Sequence, residues 1–175
     1  MNNMANRLAV RDLTMTAMLI ACTVVISRVF IIPIPLTHGN VNLSDAGVFI
    51  GALCLGPKKG GVIGALSGFL LDLISGYAQY MFFSLIVHGL EGVITGWLFQ
   101  NRNSLRAKIL SVIAGGLLMV LGYFIADSLL YSRATGLIGV PTNLFQGFIG
   151  GLVAIPLVPV IDKVRRRMEH VGLDH

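Results

Sequence analysis

The sequence predicts an all-α membrane protein. A single bundle of six transmembrane helices with both termini cytoplasmic takes up residues 1–175 as one domain. Composition is the first ground: 55% of residues are hydrophobic and 12% charged, at a mean hydropathy of +0.81, where a soluble domain carries about 25% charged residues. Segmentation is the second, because apolar stretches are cut by short turns rich in Gly, Pro and Asn. Charge placement is the third. Six spans put both termini on one side, and all of the 13 Lys and Arg except Arg28 and Arg133 then share that side, which the positive-inside rule makes the cytoplasm.

Met1 to Arg11 reads as a short polar lead, without the apolar core and cleavage site of a secretory signal. Residues 13–32 are mostly apolar and long enough to span, which takes about 20 residues; Pro33 and Pro35 end them. A polar loop, THGNVN, leads to the second helix, 44–55. Ser44 is placed to cap that helix, and Asp45 stands in its first turn, where an acid suits the helix dipole. Gly56-Pro57-Lys58-Lys59 makes a turn with a positive tip. The third helix, 60–75, stops at Gly76, with Asp72 expected to cap the turn. The fourth is 80–99 and the fifth 105–131. After a loop over 132–140 comes the sixth, 141–160. Pro141 opens it, Asn143 helps to cap it, and Pro156 and Pro159 bend its end. Helices two and three are short for a full span. Small residues recur at spacing four (Ala17 and Ala21; Gly60, Gly64 and Gly68; Gly92 and Gly96), which lets helix backbones approach closely in a bilayer.

The fourth helix carries the most informative pattern. At 100° per residue, Tyr80, Ser84, His88, Glu91 and Thr95 fall within an arc of about 80°, opposite Met81, Phe82, Leu85, Ile86, Val93 and Ile94. Ionisable groups inside an apolar span are costly and face a cavity or another helix. The remaining polar groups share one depth. Asn40, Asn42 and Asp45, then Asp72, Asp127, Asn143 and Gln146, all fall in the outer half of the predicted topology, and the inner half has almost none. A proton or ion path needs polar groups through the full thickness. A cup open on one side is a binding site. The plainer readings are that His88 and Glu91 only bond each other, that Asp127 pairs with Arg133 or Arg28, and that Arg28 snorkels to the interface.

Several function classes recede. The net charge of +5 is a topology signal, with lipid headgroups as its nearest partner, before it is a nucleic-acid one. Cys22 and Cys54 differ in depth, and no metal set is spaced for zinc. No H-E-x-x-H motif or nucleophile accompanies His88 and Glu91, which argues against an enzyme, and no phosphate-binding G-x-x-x-x-G-K-[ST] loop is present.

The segments NVNLSDAGVFIGALCLGPKKGGVIGALSGFLLDLISGY and MFFSLIVHGLEGVITGW, with Ala17-x-x-x-Ala21 on helix one, resemble the substrate-binding S component of energy-coupling factor (ECF) vitamin transporters over nearly the whole chain. That resemblance implies a multi-pass protein of the bacterial plasma membrane. Its partners would be a transmembrane coupling subunit of the EcfT type and two ATPases of the EcfA type. The chain itself would hold no cofactor and no metal, ATP being used by the partner ATPases. Carried onto this sequence, Ala17 and Ala21 are the docking face, residues 37–42, from Thr37 on, are a lid, and His88, Glu91, Asn143, Gln146, Asp127, Asn42, Asp45 and Tyr80 are the candidate ligand-binding residues.

The acids of the cup are at least as many as its bases, Arg28, Arg133, His38 and His88. An anionic ligand would call for an inward Arg. The balance favours a neutral or weakly basic heterocycle, with Tyr80, Tyr123, Phe124 or Phe145 able to stack on its ring. The HGLEG segment resembles S components for hydroxymethylpyrimidine or pyridoxine. Pantothenate, held by Arg28 or Arg133, is the second choice, and a stand-alone secondary carrier is a more distant one.

Overall fold

A computed structural model describes the backbone of residues 2–34 and 38–171, and side chains from 10 to 34 and 38 to 167. The order is α1 (Asn2–Val29), β1 (Ile32–Pro33), β2 (Asn40–Val41), α2 (Ser44–Leu55), α3 (Pro57–Ser75), α4 (Met81–Phe99), α5 (Leu105–Leu130) and α6 (Arg133–Val171). Six helices are present, as the sequence predicts. Four of them, α1, α4, α5 and α6, are long and apolar enough to cross a membrane.

The short α2 lies at the centre. Apart from Gly47, every residue from Ser44 to Cys54 is buried, as befits a helix that is apolar on all sides. It packs against α1, α3, α4 and α6 and touches α5. At the end nearest Gly56 the interior is apolar: Phe49, Ile50, Leu53 and Cys54 of α2 meet Val112 of α5 and Ala154 and Val158 of α6. Polar side chains gather toward the other end, around Asn42 and Asp45.

Among the described residues, α3 and α4 share the most extensive contact of any two helices. A Cβ on Gly64 would overlap the backbone carbonyl of His88, so the glycine brings the α3 backbone against α4 where the polar stripe lies. Gly76 ends α3 in the left-handed conformation, φ 85°, which glycine adopts without a Cβ penalty. At the other end of α3, Lys59 pairs with Asp12 of α1.

Several expectations are corrected. Helix one runs through the polar lead and begins at Asn2, because no Gly or Pro interrupts the run from Asn2 to Val29. It ends at Val29, short of the expected 32; Ile32 instead pairs with Val41, and Pro33 with Asn40, in a two-residue antiparallel hairpin whose second arm lies in the expected polar loop. Thr37, the first residue of the predicted lid, lies outside the described residues. Ser44 does not cap α2. Leu43 holds the N-cap position without a side-chain bond, and the Asn42 side-chain oxygen accepts the Ser44 N–H at 2.8 Å. The third helix starts earlier, with Pro57 in its first turn, a position that costs no hydrogen bond.

The largest correction concerns α6. All of the predicted loop over 132–140 but Ser132 forms its first two turns, and Pro141, Pro156 and Pro159 all lie inside it. Pro141 therefore does not open the helix, and Asn143 does not cap it. Proline inside a helix is tolerated among membrane-spanning segments, where neighbouring groups re-satisfy the freed backbone.

The α3–α4 contact yields a test. Gly64→Ala is expected to cost ~1–3 kcal/mol of stability by overpacking, read by thermal unfolding in detergent. Gly116→Ala, whose Cβ would have no neighbour nearer than 3.8 Å, is the control and should leave the transition nearly unmoved.

Candidate ligand site

The α4 stripe is buried along its length: Tyr80, Ser84, His88, Glu91 and Thr95 are all at most 4% exposed. Phe82 and Ile86, on the opposite side, are more than half exposed. Around the stripe, two polar groupings lie at different depths.

The upper one is an open cleft. Ile34, Gly39 and Asn40 of the hairpin region, Asn42, Asp72, Tyr80, Tyr123, Asp127, Gly139, Asn143 and Gln146 line it. Tyr80 donates its hydroxyl to Asp127 Oδ1 at 2.6 Å, so the α5 acid is paired with a tyrosine of the α3–α4 connection. Arg28 and Arg133 are both exposed and neither lines the cleft. The expected pairing of Asp127 with one of them is thereby replaced. Over the cleft, the hairpin is held by His38 stacked on Tyr131, with ring centroids 4.2 Å apart. Asn143 presents its amide to the cleft and has no hydrogen-bond partner among the described residues. The cavity itself measures about 30 Å³, room for one or two waters.

The lower grouping is sealed. His88 Nδ1 and Glu91 Oε2 share a 2.7 Å hydrogen bond, and the same nitrogen lies 3.6 Å from Asp45 Oδ1. Asp45 and Glu91 are fully buried. One oxygen of each acid, Asp45 Oδ2 and Glu91 Oε1, has no hydrogen-bond partner among the described residues, and neither does Thr95 Oγ1. Buried acceptors left without a donor cost about 1–3 kcal/mol each. Asp45, His88 and Glu91 also stand close enough, with ligand atoms within 4.8 Å of one another, to hold a cation. The short His88–Glu91 hydrogen bond occupies two of those atoms and suits a direct pair better than a shared ion.

Two side chains separate the levels. Gln146 donates from Nε2 to Asp45 Oδ1 at 3.0 Å, while its Oε1 accepts the Asn42 backbone N–H at 2.9 Å. Tyr123 places its hydroxyl 3.0 Å from His88 Nε2 and 2.7 Å from Ser84 Oγ. Ser84 in turn donates to Asp72. Both Gln146 and Tyr123 form the floor of the cleft and the roof of the sealed group.

The structure thus divides the predicted ligand residues. Asn42, Tyr80, Asp127, Asn143 and Gln146 face the cleft; Asp45, His88 and Glu91 lie beneath it. Asp72 was expected to cap the turn at Gly76. Its backbone carbonyl does accept the Gly76 and Tyr77 N–H groups, but its side chain turns inward to Ser84 and the cleft. Asp72, Ser84 and Tyr123 complete the network and are absent from the predicted ligand set. Ser84 was visible as a member of the α4 stripe, and Tyr123 only as one aromatic residue among several. Ala17 and Ala21 are both exposed on α1, on the side of the helix away from the buried Thr16, Thr23 and Ser27.

Comparison with known proteins adds the following. A family described as ECF-type riboflavin transporter, S component, matches residues 7–163. The Thiamine precursor transporter HmpT of Lactococcus lactis subsp. cremoris is 36% identical over 155 residues, covering 88% of this chain and 89% of that protein. An uncharacterized protein in the gap 3' region of Pyrococcus woesei is 31% identical over 132 residues, covering 75% and 88% respectively.

Because Gln146 bonds in both directions, Gln146→Leu should destabilise the protein by ~1–3 kcal/mol. Asn143→Leu, which breaks no internal hydrogen bond, should cost clearly less. Denaturant or thermal unfolding of the two purified variants makes the comparison.

Proposed function

The chain belongs to the ECF-type riboflavin transporter S-component family, and from that premise we propose that it captures a thiamine precursor of the hydroxymethylpyrimidine type at the outer face. The family consists of membrane transport components and not of enzymes, and its members act with a transmembrane coupling subunit and ATPase subunits. The chain is accordingly a multi-pass membrane protein.

One observation carries the choice of ligand: the charged side chains at the cleft are acids, Asp72 and Asp127, with no Lys or Arg in its lining among the described residues. Anionic ligands are poorly matched to such a surface, since a carboxylate or phosphate calls for a bidentate Arg or a Lys. Pantothenate loses its intended partners, because Arg28 and Arg133 stand outside the cleft. An aminopyrimidine offers amino and hydroxymethyl donors to carboxylates, and ring nitrogens to amide N–H groups. The name of the 36%-identical Lactococcus relative supports the same class.

The cleft as it stands is smaller than a pyrimidine ring. Ligand entry in this reading displaces the Gln146 and Tyr123 side chains, which brings the unpartnered oxygens of Asp45 and Glu91 within reach of ligand donors. The ring would then lie against Tyr80 or Tyr123. The arrangement in the membrane is part of the same proposal: six spans, with α2 and α3 completing the four long ones, and both termini in the cytoplasm on the strength of the Lys and Arg bias. So is delivery. The exposed Ala17 and Ala21 would dock on the coupling subunit, and two partner ATPases would supply ATP hydrolysis, this chain holding no nucleotide.

Calorimetry on the purified chain should show binding of hydroxymethylpyrimidine without any partner, and weaker or no binding of pyridoxine, pantothenate and riboflavin. Preference for any of the last three would replace the ligand assignment. Glu91→Gln should weaken binding by at least ~1.5 kcal/mol, the worth of a charge-assisted bond. Unchanged affinity would confine the ligand to the upper cleft. Ala17→Trp or Ala21→Trp should abolish uptake by cells while affinity stays intact, and equal loss of both would remove the docking role.

A further inference from the structure

Away from the ligand site, α5 and α6 leave an apolar groove between them on the outer surface of the bundle. Its floor is where Gly116 and Gly147 bring the two backbones together; a Cβ on Gly116 would sit 4.0 Å from the Gly147 Cα. Its walls are Ile113 and Leu117 of α5 and Leu144, Phe148 and Leu152 of α6, all of them at least 45% exposed. The groove encloses about 380 Å³. Along α5 it runs from Ile109 to Val120, ~16 Å at the helical rise.

Shape points to the occupant. The groove is a narrow channel ~16 Å long, open on its outer side between apolar walls, along which a single hydrocarbon chain can lie. Helix partners in a bilayer favour flat faces of small residues. Here the small residues lie at the bottom, between large aliphatic walls.

Charge completes the argument. Arg106 continues the α5 row of Ile109 and Ile113 by one turn, at spacings of three and seven. On α6 the row of Leu152 and Ile155 continues to Lys163 and Arg166, also at helical spacing. All three cations are exposed, and among the described residues none has an ion-pair partner. Asp162, the acid at this end among the described side chains, is already paired with Arg165 at 3.5 Å. The groove thus leads from mid-bundle into a set of positive charges without an ion-pair partner among the described residues, at the end of the helices that the charge bias assigns to the cytoplasm.

We infer that the α5–α6 groove is a site for one anionic phospholipid, an acyl chain lying over Gly116 and Gly147 and the headgroup phosphate among Arg106, Lys163 and Arg166. Basic pockets between spanning helices on that side suit anionic headgroups, each cation near the surface contributing about 1 kcal/mol. The groove's location apart from the cleft makes this assignment independent of the ligand identity.

The test uses the full chain in detergent, titrated with phosphatidylglycerol or phosphatidylcholine of the same acyl chains and read by native mass spectrometry. One phosphatidylglycerol per chain is expected at concentrations lower by at least about tenfold than phosphatidylcholine requires. The combined variant Arg106→Gln, Lys163→Gln, Arg166→Gln should erase the difference between the lipids. Gly116→Leu, whose Cβ would meet Phe49 Cζ at 3.8 Å and the Gly147 Cα at 4.0 Å in ordinary van der Waals contact and whose branches would fill the groove, should lower retention of both. Equal retention of the two lipids by the native chain overturns the inference, as does a preference that survives the triple variant or retention unaffected by Gly116→Leu. Efficient disulfide cross-linking of Leu117→Cys chains to one another in membranes would also overturn it, by showing a second copy seated on this face.

Discussion

Asp45 sets the terms for the rest of the structure. It begins the one helix that is surrounded on nearly every side, and it has no access to solvent. An acid in that position has to be met by groups from neighbouring helices, because desolvating it without partners costs several kcal/mol. His88 of α4 approaches from one side, and Gln146 of α6 donates from another. Both residues must face inward, which fixes the rotation of their helices about their own axes. Gly64 lets α3 come close at the same level, and the Asn42 backbone is drawn in by the same glutamine. The polar interior is therefore a consequence of one residue's burial as much as a receptacle built around a ligand.

The cleft and the sealed group behave as two levels of one site because their boundary is made of side chains and not of backbone. Gln146 and Tyr123 have rotatable bonds. The α3–α4 contact, by contrast, is backbone against backbone and leaves little room for sliding. Change on ligand entry is thus easiest in the hairpin and in the two boundary side chains. The outer surfaces are separate from this business. The exposed alanines lie on α1, the acyl-sized groove lies between α5 and α6, and the apolar interior near Gly56 closes the base of the cleft.

What could be read from the sequence follows the strength of the periodic signals. The α4 stripe was legible because five polar residues share one face of an otherwise apolar helix. The segregation of polar groups to one end was legible because charge placement orders the helices in depth. Tyr123 was not legible as a site residue: α5 carries no polar stripe on that face, and its hydroxyl finds Ser84 and His88 only through tertiary packing. Asp72 was misjudged since an acid before Gly76 has a local use that the sequence cannot separate from an inward-facing one. The start of α6 was missed at Pro141, because proline more often opens a helix in water than interrupts one inside a protein. The Ile32–Pro33 and Asn40–Val41 pairing was invisible because two residues are too few to show an alternating pattern.

The uninterrupted run of α6 has a mechanical corollary. Its 39 residues measure ~58 Å end to end, whereas a membrane with its headgroups is about 40–45 Å thick. At an ordinary inclination of ~20° the rod still reaches ~55 Å along the normal. A straight helix of that length spanning the bilayer would extend about 10 Å past the headgroups. In the orientation proposed above, that extension stands on the cytosolic surface and sets the nearest approach of any machinery that gathers beneath this bundle.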